Sequence, residues 1–444
     1  MGLCAGRRSS PTVNAMADLS YQTGFGNQFE TEAELGTLPR GQNSPQRVQG
    51  GLYTEQVTGT AFTAPRNSMQ RTWMYRVRPS VRHLAALNSI DRGLIRSAPD
   101  IEAAPVNTQL RWDPFPTTSS KTNWVTGLAT VATNGDVALQ AGGAIHHFSA
   151  TESMGNIAFV NTDGEMMLVP YAGHLLIRTE LGHLEVGVGQ MAVIPRGIKF
   201  AIDLTSGPAR GYVCENYGSI FALPEHGLMG MDANALPRDF EYPVASFDRQ
   251  DQATQLIAKV SGQLFANKLD HSPFDVVAWH GNLAPYRYEL RRFCALGPVV
   301  FDHPDPSIWT LLSSSSDTPG TANIDFILFR EHWKVAENTF RPPWFHSNVM
   351  SELMGLIEGV YDAKTQGFEP GGASIHNSFI PHGPDSDAFS SATEAELAPV
   401  KGPDSLAVMW ESRYRWAPTK WAISLTELQT DYAERWAQLD KRRP

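Results

Sequence analysis

The chain predicts a mainly β protein, a sandwich or jelly roll of short strands, and two observations carry that reading. Glycine (37) and proline (30) are abundant while charged residues make up only 18% of the 444, a composition suited to many turns rather than long helices. Residues 157–204, IAFVNTDGEMMLVPYAGHLLIRTELGHLEVGVGQMAVIPRGIKFAIDL, then break into short apolar runs. Asp163-Gly164 is a hairpin-type dipeptide among them, and Gly182 and Gly189 punctuate the rest.

Taken in order, residues 1–15 (MGLCAGRRSSPTVNA) lack the apolar core of a signal peptide and read as a disordered extension before a second start at Met16. Residues 20–70 are polar and Gly-rich but studded with Phe25, Phe29, Tyr53 and Phe62, which predicts an ordered arm with short strands. Within the mixed region 224–272, TQLIAKVSGQLFA reads as a short helix. Two strand-like runs flank a loop at 313–316, and 384–405 reads as a polar, acidic loop. The C-terminus predicts a helix, with Ser424 and Glu427 as a capping box and Leu425, Leu428, Tyr432, Trp436 and Leu439 on one face.

Charge and cysteine usage exclude several classes. The net charge is −10 and no basic stripe stands out, which argues against nucleic acid or an anionic membrane as partner. Cys4, Cys214 and Cys294 form neither a disulfide framework nor a zinc ribbon and suit a reducing cytosol. No apolar run reaches the 18 residues of a membrane span.

Residues 341–383 hold the chemistry. His346, Glu352 and His382 are two imidazoles and one carboxylate with no cysteine nearby. That donor set, with positions left open, is the one non-heme Fe(II) oxygenases use. Six residues of straight strand span roughly 20 Å, and a helix turns them to different faces. His346 and Glu352 therefore share an ion only if the chain reverses between them, with Asn348 a suitable turn residue. From spacing alone, the trio reads equally as a metal site or as a core histidine beside two surface groups.

Other residues carry weaker signals. His303, between Asp302 and Pro304, is either a base at a strand end or a turn residue bonded to Asp302 or Asp305. His376 either orients ligands or substrate, or is a loop histidine. Arg341 and Lys364 are the choices for a substrate carboxylate, Arg341 being the better suited to bidentate pairing. Strict alternation from Glu352 puts Tyr361 on the wrong face, so reaching the site requires a bend at Gly359. His146, His147 and His332 lack a carboxylate at ligand spacing and read as structural.

Long ordered blocks then reveal a resemblance over nearly the whole chain. YQTGFGNQFETE (21–32), TGTAFTAPR (58–66), VVFDHPDPSIWT (299–310), FRPPWFHSNVMSELMGLI (340–357) and PGGASIHNSFIPHGPD (370–385) closely resemble the homogentisate 1,2-dioxygenase family. The resemblance implies a cupin-like jelly-roll β-sandwich of bicupin type, with an N-terminal arm and a C-terminal helix. It divides the chain into a disordered extension (1–20), an arm with a metal-free cupin-like domain (21–290) and a catalytic cupin-like domain with the iron site (291–444). It implies Fe(2+) held by His346, Glu352 and His382, with His303 as proton acceptor and Tyr361 and His382 touching substrate. It further implies a cytoplasmic homohexamer, a dimer of trimers, that converts homogentisate and O₂ to 4-maleylacetoacetate in tyrosine and phenylalanine breakdown. Gly189, Pro195 and Gly197 resemble a second cupin motif whose histidine place is taken by Phe200. Two rivals remain: a Zn or Mn cupin isomerase or hydrolase using the same triad, and a metal-free storage bicupin.

Overall fold

The computed structural model describes residues 19–83, 87–103, 105–224, 234–302, 306–361, 367–402 and 404–442. Strands dominate it. A nine-stranded antiparallel sheet is centred on Glu165–Ala172, Ala209–Asn216 and Ala141–Ala150. A seven-stranded sheet includes Ile157–Asn161, Leu175–Thr179, Lys199–Leu204 and Thr254–Val260. Buried residues of both, among them Met167, Leu168 and Val193 from the first and Phe159, Phe200 and Leu256 from the second, join one core. Phe200 meets the edges of Trp124 and Phe159 there. The arm predicted over 20–70 supplies Phe29–Glu32 and Tyr53–Thr58 to a separate four-stranded sheet. That sheet is pinned by buried Arg76, whose guanidinium reaches Asp275, Glu180 and Glu55.

The sheet that positions the site has six strands, in the order Thr310–Ser315, Ala322–Arg330, Leu406–Ser412, Ser351–Glu358, Ala373–His376 and Leu110–Trp112. Its side chains alternate through the middle of the sheet. Phe326, Leu328, Val408, Trp410 and Leu353 are fully buried on one face. Asp325, Ile327, Met409, Glu411, Glu352, Met354, Ser374 and His376 take the other face and line a cavity. Tyr212 couples this sheet to the nine-stranded one. Its hydroxyl donates to the Gly372 carbonyl at 2.6 Å, and its ring lies 5.9 Å from Trp410. A side chain at Gly355 would strike that ring, 2.8 Å from a Cβ there.

Two edge strands cross between the halves of the chain. Leu110–Trp112 pairs with Ala373–His376, and Ala417–Pro418 pairs with Leu128–Asp136.

Four local readings are corrected. TQLIAKVSGQLFA is a hairpin of Thr254–Val260 and Gln263–Leu269. Ser261 (φ 49°) and Gly262 (φ 73°) form its two-residue turn, whose twist suits paired strands. Asp163-Gly164 closes no hairpin; it carries the chain from the seven-stranded to the nine-stranded sheet, with Asp163 bound to Lys259 and to the Ser261 and Gly262 amides. The acidic loop contains helix Ser386–Glu394, begun by Asp385 accepting from the Ala388 amide. The long C-terminal helix is replaced by Lys420–Ile423, capped by Thr419, and a 3-10 turn at Tyr432–Trp436. Between them Leu428 bridges Trp112, flanked by Asp113 N–H to Glu427 and Gln429 N–H to Arg111. Backbone groups that a helix would have used internally thus serve a sheet edge.

Candidate metal centre and catalytic cavity

Glu352 stands second in strand Ser351–Glu358, and a bend at 349–350 separates it from His346 without reversing the chain, since both residues pair along one antiparallel partner, His346 with His382 and Glu352 with His376. His382 meets His346 across a two-way backbone bridge, His346 N–H to the His382 carbonyl at 2.9 Å and the reverse at 3.0 Å. That bridge brings together side chains 36 residues apart, with ring centroids 4.3 Å apart. One nitrogen of His382 lies 3.2 Å from the Glu352 carboxylate and one of His346 lies 3.8 Å from it. The three donor atoms all fall within 4.8 Å of one another.

The imidazole protonation suits a cation. His346 Nδ1 donates to the Trp344 carbonyl at 2.8 Å and His382 Nδ1 to the Ile380 carbonyl at 3.0 Å. A carbonyl only accepts, so each Nδ1 carries a proton, and in the neutral ring each Nε2 then offers its lone pair. Adjacent octahedral ligands about 2.1 Å from one ion stand about 3 Å apart, close to the 3.2 Å between His382 and Glu352. Two neutral imidazoles and a carboxylate thus fit a divalent transition metal.

The neighbours of Glu352 hold it in place. His376 reaches it through Nδ1 at 3.4 Å and reaches the Tyr432 hydroxyl through Nε2 at 3.1 Å, its ring stacked on His382 at 4.4 Å. Asn348 Nδ2 lies 3.4 Å from Glu352 and 3.0 Å from Glu411. Burial pushes the Glu352 carboxyl up, but the surrounding imidazoles of His346, His376 and His382 outweigh it and hold the group well below the usual carboxylate range. Glu411 is pushed up to about 8, by burial first and then by the charges of Glu352 and Asp325. Burial raises Asp325 to about 6.

The cavity beside the triad measures about 430 Å³. Tyr361 lines it, and Gly359, at φ +73°, makes the bend that the alternation required. His376 and Asn348 are brought to the site. Arg341 is not: its guanidinium donates to the Ala336 and Ala398 carbonyls and lines a smaller cavity next door. The reading of Arg341 as an orienting or substrate-binding group is corrected accordingly. His303 and Lys364 lie outside the described residues; Pro306 and Ser307, just after His303, line the main cavity. His146 bonds Thr130 and Glu215, and His147 bonds Tyr171, as structural histidines do. Arg111, Asp325 and Glu411 were not read from the sequence as site residues, since only strand order brings them here, and Tyr432 arrives on the 3-10 turn that replaces the expected helix.

Comparison with known proteins places this geometry. A sequence profile described as homogentisate 1,2-dioxygenase N-terminal matches residues 20–290, and one described as homogentisate 1,2-dioxygenase C-terminal matches residues 291–443. The chain is 55% identical over 422 residues to a homogentisate 1,2-dioxygenase of Rhodopseudomonas palustris (strain TIE-1), covering 95% of this chain and 94% of that one. It is 53% identical over 429 residues to that of Bradyrhizobium diazoefficiens, covering 97% and 96%. Among solved structures, a cupin 2 conserved barrel domain protein from Leptotrichia buccalis aligns at a TM-score of 0.29 with 10% identity, covering 66% of this chain and 91% of that one. From profiles that span nearly the whole sequence and relatives above half identity, the chain belongs to the homogentisate 1,2-dioxygenase family.

Proposed function

We propose that the protein is an Fe(2+)-dependent ring-cleaving dioxygenase that converts homogentisate and O₂ to 4-maleylacetoacetate. The observation that carries this is the convergence of His346, Glu352 and His382 on one wall of a cavity sized for a small aromatic acid. These three residues hold the iron. When bound, ferrous iron supplies Lewis acidity toward a phenolic oxygen and a redox path to O₂.

The chain's own groups do the rest. Glu352 supplies the anionic donor, and His376 and Asn348 keep its carboxylate oriented. Tyr361, projecting into the cavity, hydrogen-bonds the substrate. His303 takes the proton from a ring hydroxyl, an assignment supported by its motif and by the cavity position of Pro306 and Ser307. Apolar Ile327, Phe329, Met354, Phe368 and Met409 line the cavity and restrict water around the reacting ring. The family reading also brings a place in tyrosine and phenylalanine breakdown, a cytoplasmic setting and a homohexamer built as a dimer of trimers.

Turnover under ¹⁸O₂ tests the reaction. The ring-opened product should carry both labelled atoms. A product with label from water, or an intact ring, would favour a hydrolase or isomerase built on the same triad.

A further inference from the structure

The six-stranded sheet sets a row of ionisable groups along its cavity face. In the strand register Asp325 stands opposite Glu411, Glu411 opposite Glu352, and Glu352 opposite His376. The next strand is Leu110–Trp112, contributed by the other half of the chain, and it pairs Arg111 with Ser374. Ser374 and His376 are two residues apart, so Arg111 shares their face. Arg111 is 1% exposed and lines the cavity. Two carboxyl groups therefore lie on one side of the metal ligands and a guanidinium on the other. Among the described residues, no other lysine or arginine lines this cavity.

The guanidinium is held in place. Its carbon lies 4.1 Å from the Tyr432 ring centroid and 5.7 Å from that of Phe368. Through Tyr432 and then His376 it stands two side chains from Glu352. A planar guanidinium is weakly hydrated, tolerates burial and pairs with a carboxylate through two parallel hydrogen bonds. An anion entering a buried cavity needs such a partner.

Building on the ring-cleavage reading, we infer that Arg111 is the specificity-determining residue, binding the side-chain carboxylate of the substrate while the ring hydroxyls face His346, Glu352 and His382. On the far side Asp325 and Glu411 offer a carboxylate no cationic partner. A hydroquinone without a carboxylate gains nothing from Arg111.

The test is anaerobic titration calorimetry on the Fe(II)-loaded protein, with homogentisate and with methylhydroquinone, which lacks the carboxylate. Arg111→Gln should weaken homogentisate about 10²-fold, the usual result of removing one partner of a buried ion pair, and leave methylhydroquinone within about threefold. Arg111→Lys should recover part of the loss, and it carries the test alone if the glutamine variant does not fold: homogentisate weakens about tenfold and methylhydroquinone does not. Equal weakening of both ligands would show that Arg111 only positions Tyr432 and His376, and would overturn the assignment. So would unchanged homogentisate affinity. Failure of the unsubstituted protein to bind homogentisate would instead overturn the ring-cleavage reading, and the anchor with it.

Discussion

At the scale of single residues, proton placement decides what a group can do. The carbonyls of Trp344 and Ile380 fix the protons of His346 and His382 on the side away from Glu352, which leaves two lone pairs for an ion. In the proposed reaction His303 has a different task. His303→Ala should keep its iron and most of its substrate affinity, while turnover falls about 10²–10⁴-fold and recovers partly at high pH. Iron content and the pH–rate profile check this; a near-normal rate per iron at neutral pH removes His303 from the mechanism. Glu165, far from the cavity, gives a pH prediction for stability. Burial raises it to about 7, more than the Phe221 amide, Asn216 and Arg196 lower it, and its Oε2 has no partner among the described residues. A raised carboxyl favours the fold when protonated, so its contribution is complete below about pH 4.5 and lost as pH rises through about 7. Glu165→Gln, which cannot ionise, should therefore gain ~1–3 kcal/mol over the parent at pH 8 and little at pH 4.5. Thermal melts across that range measure it, and a pH-independent difference would contradict it. The candidate donor trio was legible at this scale from donor type, while spacing alone left it open. Arg111 carried no local signal.

At the scale of elements, the site depends on where strands stop. Ser351–Glu358 carries Glu352 at its start, and a register shift between Leu356 and Glu358 precedes the turn at Gly359. A Cβ at Gly359 would lie 2.2 Å from the Asp404 carbonyl oxygen, in a left-handed conformation. Gly359→Ala should therefore cost about 1–3 kcal/mol and raise the KM for homogentisate by displacing Tyr361. A melting temperature and KM equal to the parent's would show that the bend does not place the tyrosine. Alternation made this bend readable from the sequence. The C-terminal segment misled because its apolar spacing fits a helix, while its backbone is recruited by the exposed edge of Leu110–Trp112. Pairing over more than 300 residues leaves no local trace. The hairpin at Ser261-Gly262 was also missed, although its turn dipeptide stood in the sequence.

At the scale of the whole molecule, the halves are interleaved. The first half lends Leu110–Trp112 to the catalytic sheet, and the second lends Ala417–Pro418 to the nine-stranded sheet. Tyr212 adds a buried link between them. Residues 291–442 expressed alone should thus fail to unfold cooperatively, having lost an edge strand and the surface that covers Leu353 and Trp410. A sharp thermal transition with bound iron would show that the catalytic part folds by itself. The jelly-roll class was legible from glycine, proline and short apolar runs; the exchange of strands was not, since composition says nothing about which edges meet. In the proposed reaction His346, Glu352 and His382 hold a redox metal for ring cleavage. Oxygen uptake on adding homogentisate to anaerobically loaded protein tests it most directly, with Fe(II), Zn(II) and the Glu352→Ala variant in parallel. O₂ and homogentisate should be consumed in equal amounts with Fe(II), with no consumption with Zn(II) and none from Glu352→Ala, which should lose its iron on desalting. Full turnover with Zn(II) alone, or an undiminished rate in Glu352→Ala, would contradict it.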